Sequence, residues 1–166
     1  MTSAAFTPIV DDDATLRLLA VDDLPLTLAW RNHEESRLWF HSTDPISETS
    51  HDEWFAKYLD RADDYVFLLE ISGTLVAQAS LYGIEDGAAE FGRLLVDPGQ
   101  RGKGFAPRAI ALCLRVADDI LGLDHLHLEV KRDNLRAIRS YEMAGFRPDE
   151  SRRGIDDALA MVRHRS

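Results

Sequence analysis

The sequence predicts one α+β domain, a mixed-sheet α/β arrangement of about seven strands and about four helices. Three observations predict it. Apolar runs joined by the two-residue turns Ser72-Gly73 and Asp86-Gly87 make an antiparallel meander. Helical patterns over 105–121 and 134–144 each follow a strand-like run and serve as crossovers. A loop holding Gly99, Gly102 and Gly104 joins the run that ends at Val96 to the first of these helices. Hairpins mixed with crossovers exclude a doubly wound sheet, which would alternate strictly.

Each element has a local reason. Thr15 to Leu19 alternates as a first strand, and the preceding residues, 1–13, are expected to be loosely ordered. Asp22 and Asp23 offer caps, with Pro25 in the first turn of a helix over 24–32. Trp39-Phe40-His41 and Asp44-Pro45 read as irregular chain. Ser50-His51-Asp52-Glu53 has capping-box form and opens a helix with Trp54, Phe55, Tyr58 and Leu59 on one stripe. Strands follow over 65–71, 74–82 and 88–96. Pro107 suits a helix's first turn, and Gly122 stops that helix near Leu121. In 125–130, His125, His127 and Glu129 share one face and Leu126, Leu128 and Val130 the other. Gly145 ends the helix over 134–144, and 146–152 with 158–163 form a closing hairpin around Gly154 to Asp157.

The 166 residues suit a single domain over 1–166, and 45% hydrophobic with 29% charged residues mark a folded, non-membranous chain. No basic-then-apolar leader opens it. A net charge of −10 argues against nucleic acid and acidic membranes as partners. Cys113 is the only cysteine, which fits a reducing cytoplasm, and its apolar helical neighbours Leu112 and Leu114 make it a buried thiol. The six histidines lack ligand spacing, so no metal is expected.

Within this acidic chain, Arg101 and Lys103 sit among glycines at a strand-to-helix junction. Glycine admits positive φ and close ligand approach, and the free N–H groups of a helix's first turn attract an anion. This is a phosphate cradle. It lacks the G-x-x-x-x-G-K-S/T pattern, and Pro107 stands where a dinucleotide fingerprint needs its third glycine.

Arg101-Gly102-Lys103-Gly104-Phe105-Ala106 matches R/Q-x-x-G-x-G/A, and Asn134 to Phe146 matches N-x-x-A-x-x-x-Y-x-x-x-G-F. In these segments, and in element order from about Thr15 to Arg163, the chain resembles the GNAT N-acetyltransferases. The resemblance implies a GNAT fold, with Leu94 to Pro98 similar to that family's fourth strand and its exit. It implies acetyl-CoA as acetyl donor. The N–H groups of Gly102, Lys103, Gly104, Phe105 and Ala106 would hold the pyrophosphate, and Arg101 and Lys103 would offset its charge. Leu95 and Val96 would pair with the pantetheine arm, and Asn134 and Tyr141 would bind the cofactor, with Tyr141 reaching the thioester sulfur.

Tyr141 would then protonate the leaving thiolate, a task suited to a phenol near pKa ~10. Glu90, eleven residues before Arg101, corresponds to a glutamate that some members use as general base, directly or through water. His127 and Glu129 are other candidates, more readily placed toward solvent or a helix cap.

The acceptor falls to the amino-terminal third. Trp30-Arg31-Asn32 with Arg37 and Trp39 resembles a GNAT subgroup that acetylates amino groups on nucleotide-linked sugars, as in the pseudaminic-acid pathway. On that resemblance Trp30, Arg31, His33 and Arg37 bind the acceptor: aromatics stack a base or sugar, and arginines grip a diphosphate. The alternatives are a protein N-terminal or lysine acetyltransferase, whose basic acceptor an acidic surface suits, and a non-catalytic acyl-CoA-binding module. Chain size and the closing hairpin are compatible with a homodimer.

Overall fold

The structure, a computed structural model, describes residues 6–166. The elements run β1 (Ile9–Asp11), β2 (Ala14–Leu18), α1 (Leu24–Asn32), α2 (Glu34–Arg37), α3 (Glu48–Leu59), β3 (Asp64–Ile71), β4 (Thr74–Glu85), β5 (Ala88–Val96), α4 (Phe105–Arg115), β6 (His125–Val130), α5 (Leu135–Met143), β7 (Arg147–Pro148) and β8 (Leu159–His164). One mixed sheet holds the strands in the order β1-β2-β3-β4-β5-β6-β8-β7. Every neighbouring pair is antiparallel except β5 with β6.

Among the described residues there are eight strands and five helices, against about seven and about four expected. The additions are β1 and α2, of three and four residues, too short to carry a hydrophobic period. The expectation of loose order over residues 1–13 lies outside the described residues for 1–5. It fails from Ile9 on, because β1 pairs with β2 in a hairpin turned by Asp12 at φ 56°.

The sheet carries a core on each face. Alternate side chains of β3 divide between them: Tyr65, Phe67 and Leu69 face α4 and α5, while Val66 and Leu68 face Leu24 of α1 and Phe55 and Tyr58 of α3. Burial on both faces explains why β3 reads as an unbroken apolar run. Val66, Phe67, Leu68 and Leu69 are each 0% exposed, worth roughly 1.5–3 kcal/mol per large side chain.

Three boundaries moved, each for a tertiary reason. Helix α3 is capped by Ser47, whose hydroxyl accepts from the Ser50 N–H at 3.1 Å, so the Ser50–Glu53 capping box does not open it. The Asn32 side chain makes two 2.8 Å bonds to the backbone of Ile46 and sets that earlier start. Strand β4 runs on to Glu85 because β5 continues to pair with it. The closing hairpin keeps only Arg147–Pro148 in its first strand, because Asp149 turns the chain by accepting from Ser151 N–H (3.1 Å) and hydroxyl (2.6 Å). Among the described residues no helix is long and apolar enough to cross a membrane.

Candidate active site

Two irregularities in β5 create the site. The first lies on its β4 side. Gln78 pairs with Leu95 and Ser80 with Gly92, so Arg93 and Leu94 together oppose Ala79, a β-bulge. Arg93 sits at φ 52°, and Gln78 Nε2 donates to its carbonyl at 3.1 Å. The second lies on the β6 side. Pairing runs Ala88 with His125, Ala89 with Leu126 and Glu90 with His127, and then stops. Beyond Glu90 the strands part, leaving the β6-facing backbone edge of 91–96 open. A cleft of about 830 Å³ fills this fork.

One end of the cleft is the glycine loop. The Asp97 carboxylate accepts from Gly99 N–H at 2.9 Å, and Gln100 N–H donates to the Asp97 carbonyl at 2.8 Å, which folds the start of the loop. Gly102 and Gly104 both adopt φ 79°, open to a glycine and strained for other residues. Gly104 caps α4 without a side chain, so the first-turn N–H groups face the cleft uncapped. Pro107 removes one N–H that has no helical partner in any case. Lys103 Nζ donates to Gln100 Oε1 at 2.7 Å. Arg101 reaches across to α2, where it pairs with Glu35 and donates to Ser36 Oγ at 2.9 Å. Leu95 and Val96 line the open edge, and Phe105 and Ala106 the mouth of the loop.

Tyr141 enters from α5 and is 7% exposed, with ring centroids 6.0 Å from both Phe91 and Phe146. Burial, and secondarily the neighbouring Tyr82, push its phenol well above the ordinary value. It therefore holds its proton at neutral pH. Asn134 also lines the cleft, but as the cap of α5, its Oδ1 accepting from Ala137 N–H at 3.3 Å.

At the base of the fork stands Glu90. Burial raises its pKa, opposed by the Arg152 guanidinium at 3.4 Å and reinforced by Glu129. Glu129 accepts from Ile155 N–H at 2.6 Å and lies 3.7 Å from His41 Nε2. That bond draws the 152–157 loop over the cleft from one side, as Trp39, Phe40 and His41 flank it from the other. Lys131 Nζ fixes the latter segment through the Leu38 carbonyl at 2.7 Å.

Residues 13–147 match the family model described as an acetyltransferase (GNAT) domain. The chain belongs to the GNAT acetyltransferase family. It is 24% identical to the uncharacterised protein MJ1062 of Methanocaldococcus jannaschii over 140 residues, 82% of this chain and 28% of that one. It is 29% identical to spermidine N(1)-acetyltransferase of Escherichia coli over 118 residues, 69% of this chain and 62% of that one. The chain thus spans less than two thirds of either relative. The spermidine N-acetyltransferase of Vibrio cholerae, solved with CoA and spermine, superposes with a TM-score of 0.82 at 24% identity, covering 92% and 95% of the two chains.

The co-substrate of this acetyltransferase domain is acetyl-CoA, and the residues fit it. An uncapped helix start beside two cations suits a pyrophosphate, an unpaired strand edge suits an amide-bearing arm, and Tyr141 lies where the two strands diverge. Most of the expected CoA residues meet in the one cleft, together with Glu90. Lys103 projects from the exposed side of the loop.

The four residues expected to grip the acceptor do not line the cleft. Trp30 is 3% exposed, packed inside rather than offered to a ligand. Arg31 stacks over the Phe40 ring at 4.0 Å and donates to the Ser42 carbonyl at 2.9 Å, holding the segment that flanks the cleft. His33 caps α2 through Nδ1, accepting from Glu35 N–H, and Arg37 ends the same helix. Helical spacing cannot show that the next turn, Trp39 to His41, is the part that reaches the site. Tyr82 and Arg93 were missed as well, because a bulge leaves no sequence signal. Cys113 is fully buried and its thiol raised far above the ordinary value by that burial, so it stays protonated.

Proposed function

We propose that this domain acetylates a small cationic amine of the polyamine class by direct transfer from acetyl-CoA. The observation that carries this is the fork itself: pairing between β5 and β6 ends at Glu90, so a phosphate-type loop and a pair of carboxylates face each other along one cleft. Glu90 and Glu129 supply negative charge at the acceptor end, and Tyr82, Trp39 and Phe40 supply aromatic faces to a cation. An overall charge of −10 favours approach of a polycation. The spermidine enzymes among the relatives support the same choice.

In this reaction the neutral amine attacks the thioester carbonyl. A backbone N–H at the bulge polarises the carbonyl oxygen. The C–N bond forms, the C–S bond breaks, Tyr141 gives its proton to the thiolate, and the proton from nitrogen passes to Glu90 directly or through water. A nucleotide-linked amino sugar is the second acceptor class. Its support is the Trp30-Arg31-Asn32 pattern alone. A cytoplasmic setting, resting on the lone cysteine, and self-association as a homodimer belong to the same proposal. Light scattering reads the latter.

The test is release of free thiol from acetyl-CoA in the presence of spermidine, UDP- and TDP-linked amino sugars, or basic peptides. The highest kcat/KM is expected with spermidine. A higher value with an amino-sugar nucleotide or a peptide overturns the polyamine assignment, and no thiol release with any of them overturns acetyl transfer. Gly104→Trp, which fills the cradle, is expected to abolish the melting shift caused by acetyl-CoA.

A further inference from the structure

One cluster beside the fork holds neither the CoA loop nor Tyr141 in place. Asp64, Tyr82 and Glu90 are direct cross-strand partners on β3, β4 and β5, and so project from the same face of the sheet. Asp64 is 1% exposed, and both its oxygens accept from the Arg93 guanidinium, at 2.7 and 3.2 Å. Arg93 in turn lies 4.3 Å over the Tyr82 ring and 5.5 Å from that of Trp54.

Stability does not explain this arrangement. A buried ion pair gains little over apolar residues of the same volume, because desolvation offsets the attraction. A non-glycine residue at φ 52° adds strain of roughly 1–2 kcal/mol. What the cluster does supply is a fixed position for the Tyr82 phenol. Gly92 makes room for it: a Cβ there would stand 2.8 Å from Tyr82 Oη. The strained bulge, the buried acid and the missing side chain all converge on one hydroxyl. That hydroxyl has no hydrogen-bond partner among the described residues, and Tyr82 lines the cleft beside Glu90.

We propose that Tyr82 is a catalytic residue whose phenol oxygen accepts a hydrogen bond from the acceptor nitrogen, with Asp64 and Arg93 as positioning residues that hold the ring. This rests on the acetyl-transfer function proposed above. A neutral primary amine has two N–H groups and one lone pair. With one N–H on Tyr82 and the other on Glu90 or its water, the lone pair is left pointing at the thioester carbon. The proton shed after C–N bond formation goes to Glu90 and that of Tyr141 to the sulfur, so Tyr82 keeps its own.

The experiment compares wild type, Tyr82→Phe, Arg93→Gln, Arg93→Lys and the double variant Tyr82→Phe/Arg93→Gln, with spermidine as acceptor. Tyr82→Phe is expected to lower kcat/KM for the amine about 10–100-fold and to leave the KM of acetyl-CoA and its melting shift unchanged. Arg93→Gln should cost about tenfold alone and less than threefold on top of Tyr82→Phe, since it acts through that ring. Arg93→Lys, which keeps the charge against Asp64, should recover part of the loss. Wild-type kcat/KM in Tyr82→Phe, or additive losses in the double variant, overturns the assignment while acetyl transfer stands. Should Arg93→Gln fail to fold, Tyr82→Phe alone decides. If wild type binds acetyl-CoA but acetylates no amine, the underlying function falls and the role of Tyr82 falls with it.

Discussion

Gly92→Ala adds a single methyl group to the cleft wall and tests whether Tyr82 is held as described. The backbone accepts alanine, because Gly92 is not among the residues with positive φ. The methyl carbon would lie 2.8 Å from Tyr82 Oη, 3.0 Å from Cε1 and 3.3 Å from Cζ. To restore ordinary contact at 3.4 Å the hydroxyl must retreat about 0.6 Å (3.4 less 2.8), and Arg93 backs the ring at 4.3 Å. Overpacking of this kind costs about 1–3 kcal/mol. Replacing glycine returns about 0.4–1 kcal/mol through the unfolded chain. The net loss is about 0–2.6 kcal/mol, a Tm lower by up to about 10 °C for a chain of this length. Thermal unfolding measures that, and thiol release with spermidine should show kcat/KM down at least tenfold although no functional group was removed. In the Tyr82→Phe background the 2.8 Å contact is gone, so the same substitution should cost less stability. An unchanged Tm together with unchanged kcat/KM in Gly92→Ala would refute the fixed placement of Tyr82.

Tyr141→Phe should keep the acetyl-CoA melting shift and slow turnover about 10²–10⁴-fold; wild-type turnover would remove Tyr141 as the acid. Burial raises the Glu90 pKa, so its ionised form is disfavoured by folding: its contribution to stability is present at low pH and lost as pH rises through the folded-state value. Glu90→Gln should therefore gain stability relative to wild type as pH rises above the glutamate range, and should lose the acid limb that wild type shows in kcat/KM above that range. Urea unfolding and pH–rate profiles check the two, and parallel curves for both proteins would count against Glu90. Because Glu35 holds Arg101 at the protein surface, Glu35→Ala should free that cation for the pyrophosphate and lower the Kd of acetyl-CoA up to about fivefold, the reach of an exposed ion pair. Weaker binding by calorimetry would show instead that Glu35 helps to build the loop.

Much of the site was legible in order along the chain. Gly102, Gly104 and Pro107 are choices of backbone geometry, and a backbone requirement is written in residue type whatever packs around it. Tyr141 was named from its place in the Asn134 to Phe146 segment that resembles the GNAT family, since its helical spacing alone fits a core tyrosine equally well. The residues expected to bind the acceptor lie off the cleft for the opposite reason. Trp30 has the residue type of a stacking platform, but whether an aromatic faces ligand or core depends on the rotation of α1 against β5, which no local pattern states. The cap of α3 moved to Ser47 on the same ground, since Asn32 from a different helix selects the start.

The sequence by itself determined the elements, the meander and the glycine loop. These depend on periodicity, turn chemistry and spacing within about 30 residues. Only the tertiary structure decided that β5 parts from β6 after Glu90, that Arg93 bulges toward Asp64, and that Trp39, Phe40 and His41 rather than Trp30 reach the cleft. Those outcomes depend on which strand edges stay unpaired and which charges are buried together. Both are properties of contacts between residues far apart in the chain, such as Asp64 with Arg93 and Glu35 with Arg101.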